Sequence, residues 1–427
     1  MNTRSSMVAA IAAMFVLALA VSALAFSQPT LTFQPVGPVG PSERVTGVYC
    51  SAVSTCVVST EERFEGGHVY ASDGKSITAT LVTGDETFTE PLGVTGAANF
   101  MGFTSIGDRL FARVDGAADA LLTATGDITQ ASSWQATTVG LPDGDASFAG
   151  NQQLGWGTAD GRWVYAIRGT VYAGRDEPSP GALWIPAWSP TNVPGDLLQR
   201  HRDDPTLCLA QPSIGISPTP TRMAYVAPDL AVILYPTGAR NQSGEEEPGV
   251  CISIDAGESF QHVPFPEVEG DLGPLGVTCS GSDLCVAFGG LQFAPESAYL
   301  YVTRNATAGA SSTWTRAELP ELREDSRFRD VSFAPDGMIG WAVGAEGAGS
   351  PLVLTTSDGG ATWNDATSSV RVLAQGARLH AVYVVDEAHV WIGGENGVLL
   401  AGGYQTRPAA SRLGSARPVA LLSAHHS

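Results

Sequence analysis

The amino-acid sequence predicts an all-β fold, a seven-bladed β-propeller with four-stranded blades. Three observations predict it. Short runs rich in Val, Ile, Tyr, Phe and Thr alternate with Gly, Asp, Pro and Ser, and helical periodicity is nearly absent beyond the first 25 residues. A polar turn motif occurs twice. An aromatic residue also recurs at about the spacing of one propeller blade.

The turn motif reads S/T-x-D-x-G-x-S/T-W/F. Its copies are Ser253, Asp255, Gly257, Ser259 and Phe260, and Thr356, Asp358, Gly360, Thr362 and Trp363. An Asp in a tight hairpin can accept backbone N–H bonds, and Gly can adopt the positive φ that the turn needs. The hydroxyls can bond within the loop, and the closing aromatic can pack under it. We therefore predict a structural role for these residues and assign no catalytic residue among them.

The closing aromatics set the period of the repeat. They are Trp134, Trp188, Phe260, Trp314 and Trp363, at steps of 54, 72, 54 and 49 residues. Four-stranded blades repeat at roughly this interval. The longest step contains a Pro-rich segment, 190–221, which we interpret as an insertion before the fourth blade.

The blades are predicted to start near positions 45, 96, 148, 221, 273, 327 and 378. The last has only three strands, within 379–403, so its sheet would end in an open edge. The segment TLTFQPV at 30–36 has no blade of its own and carries Phe33 where a fourth-strand aromatic is expected. We predict that it closes the ring as the outer strand of the last blade. Six blades are the alternative, because 146–190 is the least regular segment.

The termini lie outside the predicted ring. Residues 1–25 read as a signal peptide, with Arg4, an apolar stretch and the small residues Ala23-Leu24-Ala25. A membrane-anchoring helix is the alternative interpretation of this segment. The propeller is predicted to span 26–404, and 405–427 is predicted to be a disordered tail. The mature protein is expected to be extracytoplasmic, either periplasmic or secreted, without membrane insertion.

Six cysteines behind a signal peptide indicate disulfides. Cys50 with Cys56 and Cys279 with Cys285 share one frame, in which a small polar turn separates two apolar strands. We predict that each pair closes a hairpin, and elimination leaves Cys208–Cys251 as the third disulfide. Zinc sites usually have closer Cys spacing and a second cluster, which neither pair has.

The formal charge of −20, from 23 Lys and Arg against 43 Asp and Glu, argues against nucleic acid or an anionic membrane as partner. The seven histidines show no metal spacing, and no nucleotide-binding fingerprint is present. We therefore predict a monomer that holds no cofactor and no metal.

This chain resembles two related families. The turn motif resembles the Asp-box of the sialidase-like (BNR) propellers. The string from FRDVSFAPD at 328–336 to SDGGATW at 357–363 resembles a repeat of the photosystem II assembly-factor propellers and their bacterial relatives. The resemblance implies a propeller that binds or chaperones other proteins. Members that act on the photosystem are expected to present an arginine-rich face, whereas only Arg327 and Arg329 cluster here, so that client is not carried over.

Two functions follow as hypotheses. The first is a secreted, non-catalytic binding or assembly propeller that recognises a protein or glycan ligand on one face. Its candidate binding residues are Arg327, Arg329 and Asp330, because paired guanidinium groups in an acidic protein suggest an anion contact; surface salt bridges are the alternative. The second is an Asp-box-type glycoside hydrolase, which would need two carboxylates about 5–10 Å apart. The arginines and Tyr nucleophile of a sialidase cannot be placed in the sequence.

Overall fold

The structure is a computed structural model. It describes residues 30–37, 39–62, 65–85, 88, 96–106, 108–115, 120–138, 153–157, 162–167, 170–174, 184–188, 222–227, 230–234, 239–240, 246–247, 249–255, 260–266, 274–281, 283–289, 298–347 and 349–405. Phe33–Gly403 forms one compact unit, and a second unit comprises Met1–Thr32 and Tyr404–Ser427. The predicted signal peptide, the insertion at 190–221 and the tail from 406 onward lie outside the described residues.

The strands form seven four-stranded sheets. Sheet 1 contains β2 (Arg44–Ala52), β3 (Thr55–Glu61), β4 (His68–Ser72) and β5 (Ile77–Thr83); sheet 2 contains β6 (Asn99–Ile106), β7 (Arg109–Asp115), β8 (Ala120–Thr125) and β9 (Trp134–Thr138). Sheet 3 contains β10 (Gln153–Gly157), β11 (Arg162–Ile167), β12 (Thr170–Gly174) and β13 (Trp184–Trp188); sheet 4 contains β14 (Arg222–Ala227), β15 (Leu230–Leu234), β18 (Gly249–Ser253) and β19 (Gln261–Pro264). Sheet 5 contains β20 (Pro274–Ser280), β21 (Leu284–Gly289), β22 (Tyr299–Thr303) and β23 (Thr315–Arg316); sheet 6 contains β24 (Arg327–Phe333), β25 (Gly340–Glu346), β26 (Ser350–Thr356) and β27 (Asn364–Asp365). Sheet 7 contains β28 (Leu379–Asp386), β29 (His389–Gly394), β30 (Leu399–Gln405) and β1 (Thr30–Pro35).

The remaining elements are short. The strands β16 (Ala239–Arg240) and β17 (Glu246–Glu247) form a separate two-stranded sheet between β15 and β18. The helical segments among the described residues are α1 (Arg371–Ala374) and 3₁₀ turns at Ala131–Ser133, Ala306–Ser311 and Thr367–Ser369. No described helix meets the length and hydropathy needed to span a bilayer.

The first strands of the sheets contact one another in the order β2, β6, β10, β14, β20, β24 and β28, and β28 contacts β2 again. The sheets are therefore the four-stranded blades of an all-β propeller, as predicted. Side chains are described over most of the length of five sheets, namely sheets 1, 2, 5, 6 and 7. Five blades are thus established in packing detail.

The hydrophobic core lies between successive sheets. The middle strands are buried on both faces, as in GWAVGA of β25, because each sheet is covered by a neighbour on either side. The inner strand β24 instead alternates buried Phe328, Val331 and Phe333 with half-buried polar residues. One core cluster spans sheets 1 and 2, and another spans sheets 5 and 6. The apolar side chains therefore join sheets to one another as well as filling each sheet.

The chain closes the ring at its N-terminal end, as predicted. The strand β1 is the outer strand of sheet 7, beside β30. We name residues 33–43, which lead from β1 to β2, the closing segment. Within it Val36 and Val39 are buried in the cluster that joins sheets 7 and 1. The ring of Phe33 packs edge-on against Trp341 of sheet 6, with centroids 5.6 Å apart.

Hydrogen bonds attach the closing segment to sheets on both sides of the seam. Val36 N–H donates to Leu399 O in sheet 7 at 2.8 Å, and Ile77 N–H of sheet 1 donates to Gly37 O at 3.3 Å. At the other end of the segment, Gly397 N–H donates to Glu43 O at 2.8 Å. The segment therefore joins the first blade to the last through backbone bonds as well as apolar contacts.

The side chain of Glu43, the last residue of this segment, is buried, with 4% of its surface exposed. Tyr70 Oη donates to Glu43 Oε1 at 2.6 Å, and His68 Nδ1 lies 3.2 Å from the same oxygen. Burial acts to raise the pKa of Glu43, but hydrogen bonds from His68, Thr60 and Tyr70 lower it overall below its usual value. The same contact and burial raise the pKa of Tyr70. The pair therefore keeps a carboxylate acceptor and a phenol donor in place at neutral pH.

Two of the three predicted disulfides are present. Cys50–Cys56 joins β2 to β3, and Cys279–Cys285 joins β20 to β21. Cys251, on the third strand of sheet 4, is also disulfide-bonded. Its predicted partner Cys208 lies outside the described residues, so that pairing stays a prediction.

The turn at Asp358 is held by its own side chains. Asp358 Oδ1 accepts from Thr362 N–H at 3.0 Å and from Thr356 Oγ1 at 2.8 Å, and Asp358 Oδ2 accepts from Thr362 Oγ1 at 2.7 Å. Gly360, with φ of 89°, donates its N–H to Thr356 Oγ1, and the buried Trp363 donates from its ring nitrogen to Gly360 O at 2.9 Å. The sequence ATWNDAT at 361–367 predicts a fourth strand of seven residues. That prediction is wrong in length, because Thr362 and Trp363 belong to the turn and only two residues form β27.

The other copy of the motif is described in part. Ser253 Oγ donates to Asp255 Oδ1 at 2.7 Å, and Phe260 is buried directly before β19. Gly257 and Ser259 lie outside the described residues. Thr303 Oγ1 donates in the same way to Asn305 Oδ1 at 2.9 Å, before the buried Trp314. Asn305 therefore takes the place of the Asp in a longer turn, which the sequence pattern did not predict.

Asp358→Ala is expected to lower the free energy of unfolding by about 2 kcal/mol, because three hydrogen bonds to a charged acceptor are lost. Asp358→Asn should lose less, since an amide oxygen still accepts in the Asn305 turn. Urea unfolding measures both variants. Asp325→Ala is the control, because Asp325 is exposed and has only a long contact with Arg323. Equal stability of Asp358→Ala and the parent protein would contradict a structural role for Asp358.

Candidate functional site

Basic residues stand at or near the starts of three neighbouring inner strands. We name Arg44, Arg329, Arg378, His380 and Glu395 the arginine cluster. Arg44 is the first residue of β2, Arg329 the third of β24, and His380 the second of β28. Because β28 contacts both β24 and β2, it lies between them in the ring. His380 is therefore flanked by an arginine-bearing inner strand on each side.

Glu395 joins the two basic residues of sheet 7. It lies in the turn between β29 and β30, and its N–H donates to Arg378 O at 3.0 Å. Arg378 Nε donates to Glu395 Oε2 at 3.1 Å, and His380 Nε2 lies 3.4 Å from Glu395 Oε1. Burial acts to raise the pKa of Glu395, but Arg378 and His380 lower it overall. Glu395 is therefore ionised at neutral pH and orients both side chains.

His380 is kept neutral by its surroundings. Its side chain is 11% exposed. Burial lowers the pKa of His380 to about 4, and the positive charges of Arg44 and Arg329 contribute. Glu395 raises the pKa of His380, but by less than burial and the two arginines lower it. Two arginines on neighbouring strands thus lie close enough to His380 for their charges to act on it.

Asp330, one of the predicted binding residues, takes part in the joint between sheets 6 and 7. Its Oδ2 accepts from Val382 N–H of β28 at 2.8 Å, and its Oδ1 accepts from Val331 N–H at 3.0 Å. Ser332 Oγ accepts from Val384 N–H in the same joint. The carboxylate of Asp330 therefore already has two backbone donors. Of the other two predicted residues, Arg329 acts on His380 and Arg327 lies at the first position of β24.

The turn-motif residues lie at the opposite end of the strands from the arginine cluster. The third strand β26 runs parallel to β24, since both pair antiparallel with β25. Thr356 and Asp358 therefore lie where β24 ends, whereas Arg329 lies near where β24 begins. The two groups of predicted residues are not brought together, so the turn motif does not contribute to the cluster.

Sequence reasoning missed Arg44, Arg378, Glu395 and the role of His380. A signal was present in the repeats. Arg44, Arg222, Arg327 and Arg378 stand at, or directly before, the first residue of β2, β14, β24 and β28. Comparison of the blades in register would have revealed an arginine at the same repeat position in three of them, at Arg44, Arg327 and Arg378.

Titratable groups elsewhere in the described chain show no metal cluster: no three His, Cys, Asp or Glu side chains are grouped to hold an ion. Five described carboxyl groups, Glu43, Asp73, Asp127, Asp358 and Glu395, have a pKa below its ordinary value. A glycosidase acid has a raised pKa. These five carboxyl groups therefore suit structural or ion-pairing roles.

Comparison with solved structures agrees with this architecture. YCF48 from Cyanidioschyzon merolae is similar with a TM-score of 0.54 at 13% identity, covering 87% of this chain and 98% of that one. The fold is that of a β-propeller. YCF48 bound to D1 peptide has a TM-score of 0.51 at 12% identity, covering 89% of this chain and 96% of that one. A catalytically inactive variant of virginiamycin B lyase from Staphylococcus aureus with quinupristin has a TM-score of 0.53 at 13% identity. The match covers 88% of this chain and 99% of that one. No protein-family model and no curated protein matches the sequence.

Proposed function

We propose that this protein is a non-catalytic, extracytoplasmic seven-bladed propeller that binds an anionic group of a protein partner at the arginine cluster. The order of contacts around the inner strands supports seven blades, because it passes through one strand of every four-stranded sheet before returning to β2. We also propose that the turns at Asp255 and Asp358 are Asp-boxes, which the hydrogen bonds of Asp358 support.

The observation that carries the binding proposal is the placement of Arg44 and Arg329 on the two inner strands that flank β28, which bears His380. In a chain with net charge −20, positive charge collected at one end of the inner strands suits recognition of a carboxylate or another anion. Arg44 is paired with Glu61, and Arg378 with Glu395. These carboxylates hold the guanidinium groups in position, and partly buried charges act more strongly on a ligand than fully solvated ones.

A peptide-bearing partner is supported by the comparison with propellers. One of the similar structures is YCF48 bound to D1 peptide. At 12% identity the likeness shows the fold alone. The partner of this chain is therefore proposed from the charges of the arginine cluster. Acidic segments and free carboxyl termini carry the charge that the arginines would recognise.

The proposed compartment rests on the cysteines. Cys50–Cys56 and Cys279–Cys285 are disulfides in the structure. Disulfides persist in oxidising compartments and are rare in the cytosol. They support export to the periplasm or the exterior, which the predicted signal peptide at 1–25 would direct.

The test compares binding of an acidic peptide with a free carboxyl terminus by the purified protein and by Arg329→Gln. We expect Arg329→Gln to weaken binding about tenfold or more, because one charged hydrogen-bond donor of the cluster is lost. Arg323→Gln is the matched control, because Arg323 is exposed on a loop and contacts only Asp325. Isothermal titration calorimetry measures all three proteins.

Two outcomes would contradict the proposal. Peptide affinity that is the same for Arg329→Gln and Arg323→Gln would remove the cluster as the binding site. Hydrolysis of a glycoside or polysaccharide by the purified protein, lost when one carboxylate is changed to its amide, would replace the binding function by that of a glycoside hydrolase.

A further inference from the structure

We propose that binding of an anion at the arginine cluster is coupled to uptake of a proton by His380. The inference rests on the proposed anion site and adds to it a dependence on pH. His380 would be a positioning residue that acts through the neighbouring arginines, not the group that provides most of the affinity.

The position of His380 supports the coupling. Several described elements that neighbour β28 carry charged groups. These groups are Arg44 of β2, Arg329 and Asp330 of β24, Arg378 directly before β28, and Glu395 of the turn before β30. Arg44 is itself paired with Glu61. Asp330 is bound by two backbone N–H groups, and Glu395 also contacts Arg378. The inner strands on both sides of His380 therefore carry an arginine, and Glu395 is its acidic contact among the described residues.

An anion would change this balance. Burial and the two arginines lower the pKa of His380 to about 4, so the imidazole is neutral at pH 7. An anion held between Arg44 and Arg329 would offset their charges, and protonation of His380 would become easier. By linkage, protonation of His380 must then increase the affinity for the anion by the same factor.

The size of the effect follows from the shift in pKa. If a bound dianion raises the pKa of His380 by about two units, the affinity at pH 5 would be roughly tenfold higher than at pH 7. Above pH 7 the affinity should no longer depend on this residue, because His380 is neutral in both the free and the bound protein. The direction is therefore tighter binding in acid and weaker binding near neutrality.

Inorganic sulfate is the probe, because its charge stays constant between pH 5 and 7. Its affinity for the full chain is measured by titration calorimetry at pH 5, 6 and 7 in buffers of different ionisation enthalpy, which report proton uptake. We expect roughly tenfold tighter binding at pH 5 with proton uptake in the parent protein, and less than twofold variation in His380→Gln. His389→Gln is the matched control, since His389 is an exposed histidine paired with Asp386, and it should retain the dependence.

The outcomes separate this inference from the proposed function. Sulfate binding that needs Arg329 but has the same pH dependence in His380→Gln would overturn the inference and leave the anion site. Sulfate that does not bind, or that binds equally well to Arg329→Gln, would overturn both. If His380→Gln does not fold, NMR titration of the His380 ring in the parent protein with and without sulfate decides the question, because an unchanged pKa contradicts the coupling.

Discussion

Deletion of residues 26–40 is expected to lower the free energy of unfolding of the ring by about 5 kcal/mol or more. The deletion removes β1, so one edge of β30 loses its partner strand. It also removes Val36 and Val39, which are 2% and 7% exposed and fill the core between sheets 7 and 1. Burial of a valine side chain contributes about 1.5–3 kcal/mol, and a whole domain is stable by only about 5–15 kcal/mol. The measurement is thermal unfolding followed by circular dichroism and calorimetry.

Graded variants separate the apolar contribution from that of the strand. Val36→Ala combined with Val39→Ala should lower the midpoint of unfolding while keeping the backbone of β1. Val372→Ala is the matched control, because Val372 is 84% exposed in α1 and the same atoms are removed. A deletion protein that unfolds at the temperature of the parent would show that β1 and the closing segment do not stabilise the ring.

Glu43→Ala is expected to lower the free energy of unfolding by about 3 kcal/mol at pH 7. The substitution leaves the buried hydroxyl of Tyr70 without its carboxylate acceptor and opens a cavity beneath the closing segment. Glu43→Gln should cost less, because the amide oxygen can still accept from Tyr70. Urea unfolding at pH 7 gives both values, and Tyr70→Phe in each background measures how strongly the two residues are coupled.

The pH dependence of the same variants provides a second test. The pKa of Glu43 is lower in the folded than in the unfolded protein, so its contribution is complete above the unfolded value of about 4.5 and is lost as the pH falls through the folded value. Glu43→Gln should therefore lose less stability than the parent between pH 5 and pH 3. Identical acid unfolding of the two proteins would show that Glu43 is not the carboxylate responsible.

The parts of the fold that repeat could be predicted from sequence. Sheet 7 has the predicted three consecutive strands closed by residues 30–36, because each strand is an apolar run that ends at a turn with its own local chemistry. The closure by residues 30–36 followed from an unpaired edge, which is a general requirement of sheets. The short β27 was not predicted, because an aromatic residue in a turn has the same composition as one in a strand.

The arginine cluster could not be found in this way. Its members come from positions 44, 329 and 378–395, and only the ring brings β2, β24 and β28 side by side. The role of Glu43 was not predicted for a related reason. A single carboxyl group in a loop forms no sequence pattern, and its hydrogen-bond partner Tyr70 lies on β4. The local rules that predict turns and strands from sequence carry no information about such distant partners.

The closing segment also has a consequence for the order in which the protein can assemble. Val36 is made early in synthesis, but Leu399, whose carbonyl oxygen receives its N–H, is made near the end of the described chain. Until then the first blade has no neighbour on one side, and its buried valines are exposed to water. Loop closure over nearly the entire chain is slow and opposed by entropy. A protein that crosses a membrane as an extended chain would therefore complete its ring only after both of its ends had emerged on the same side.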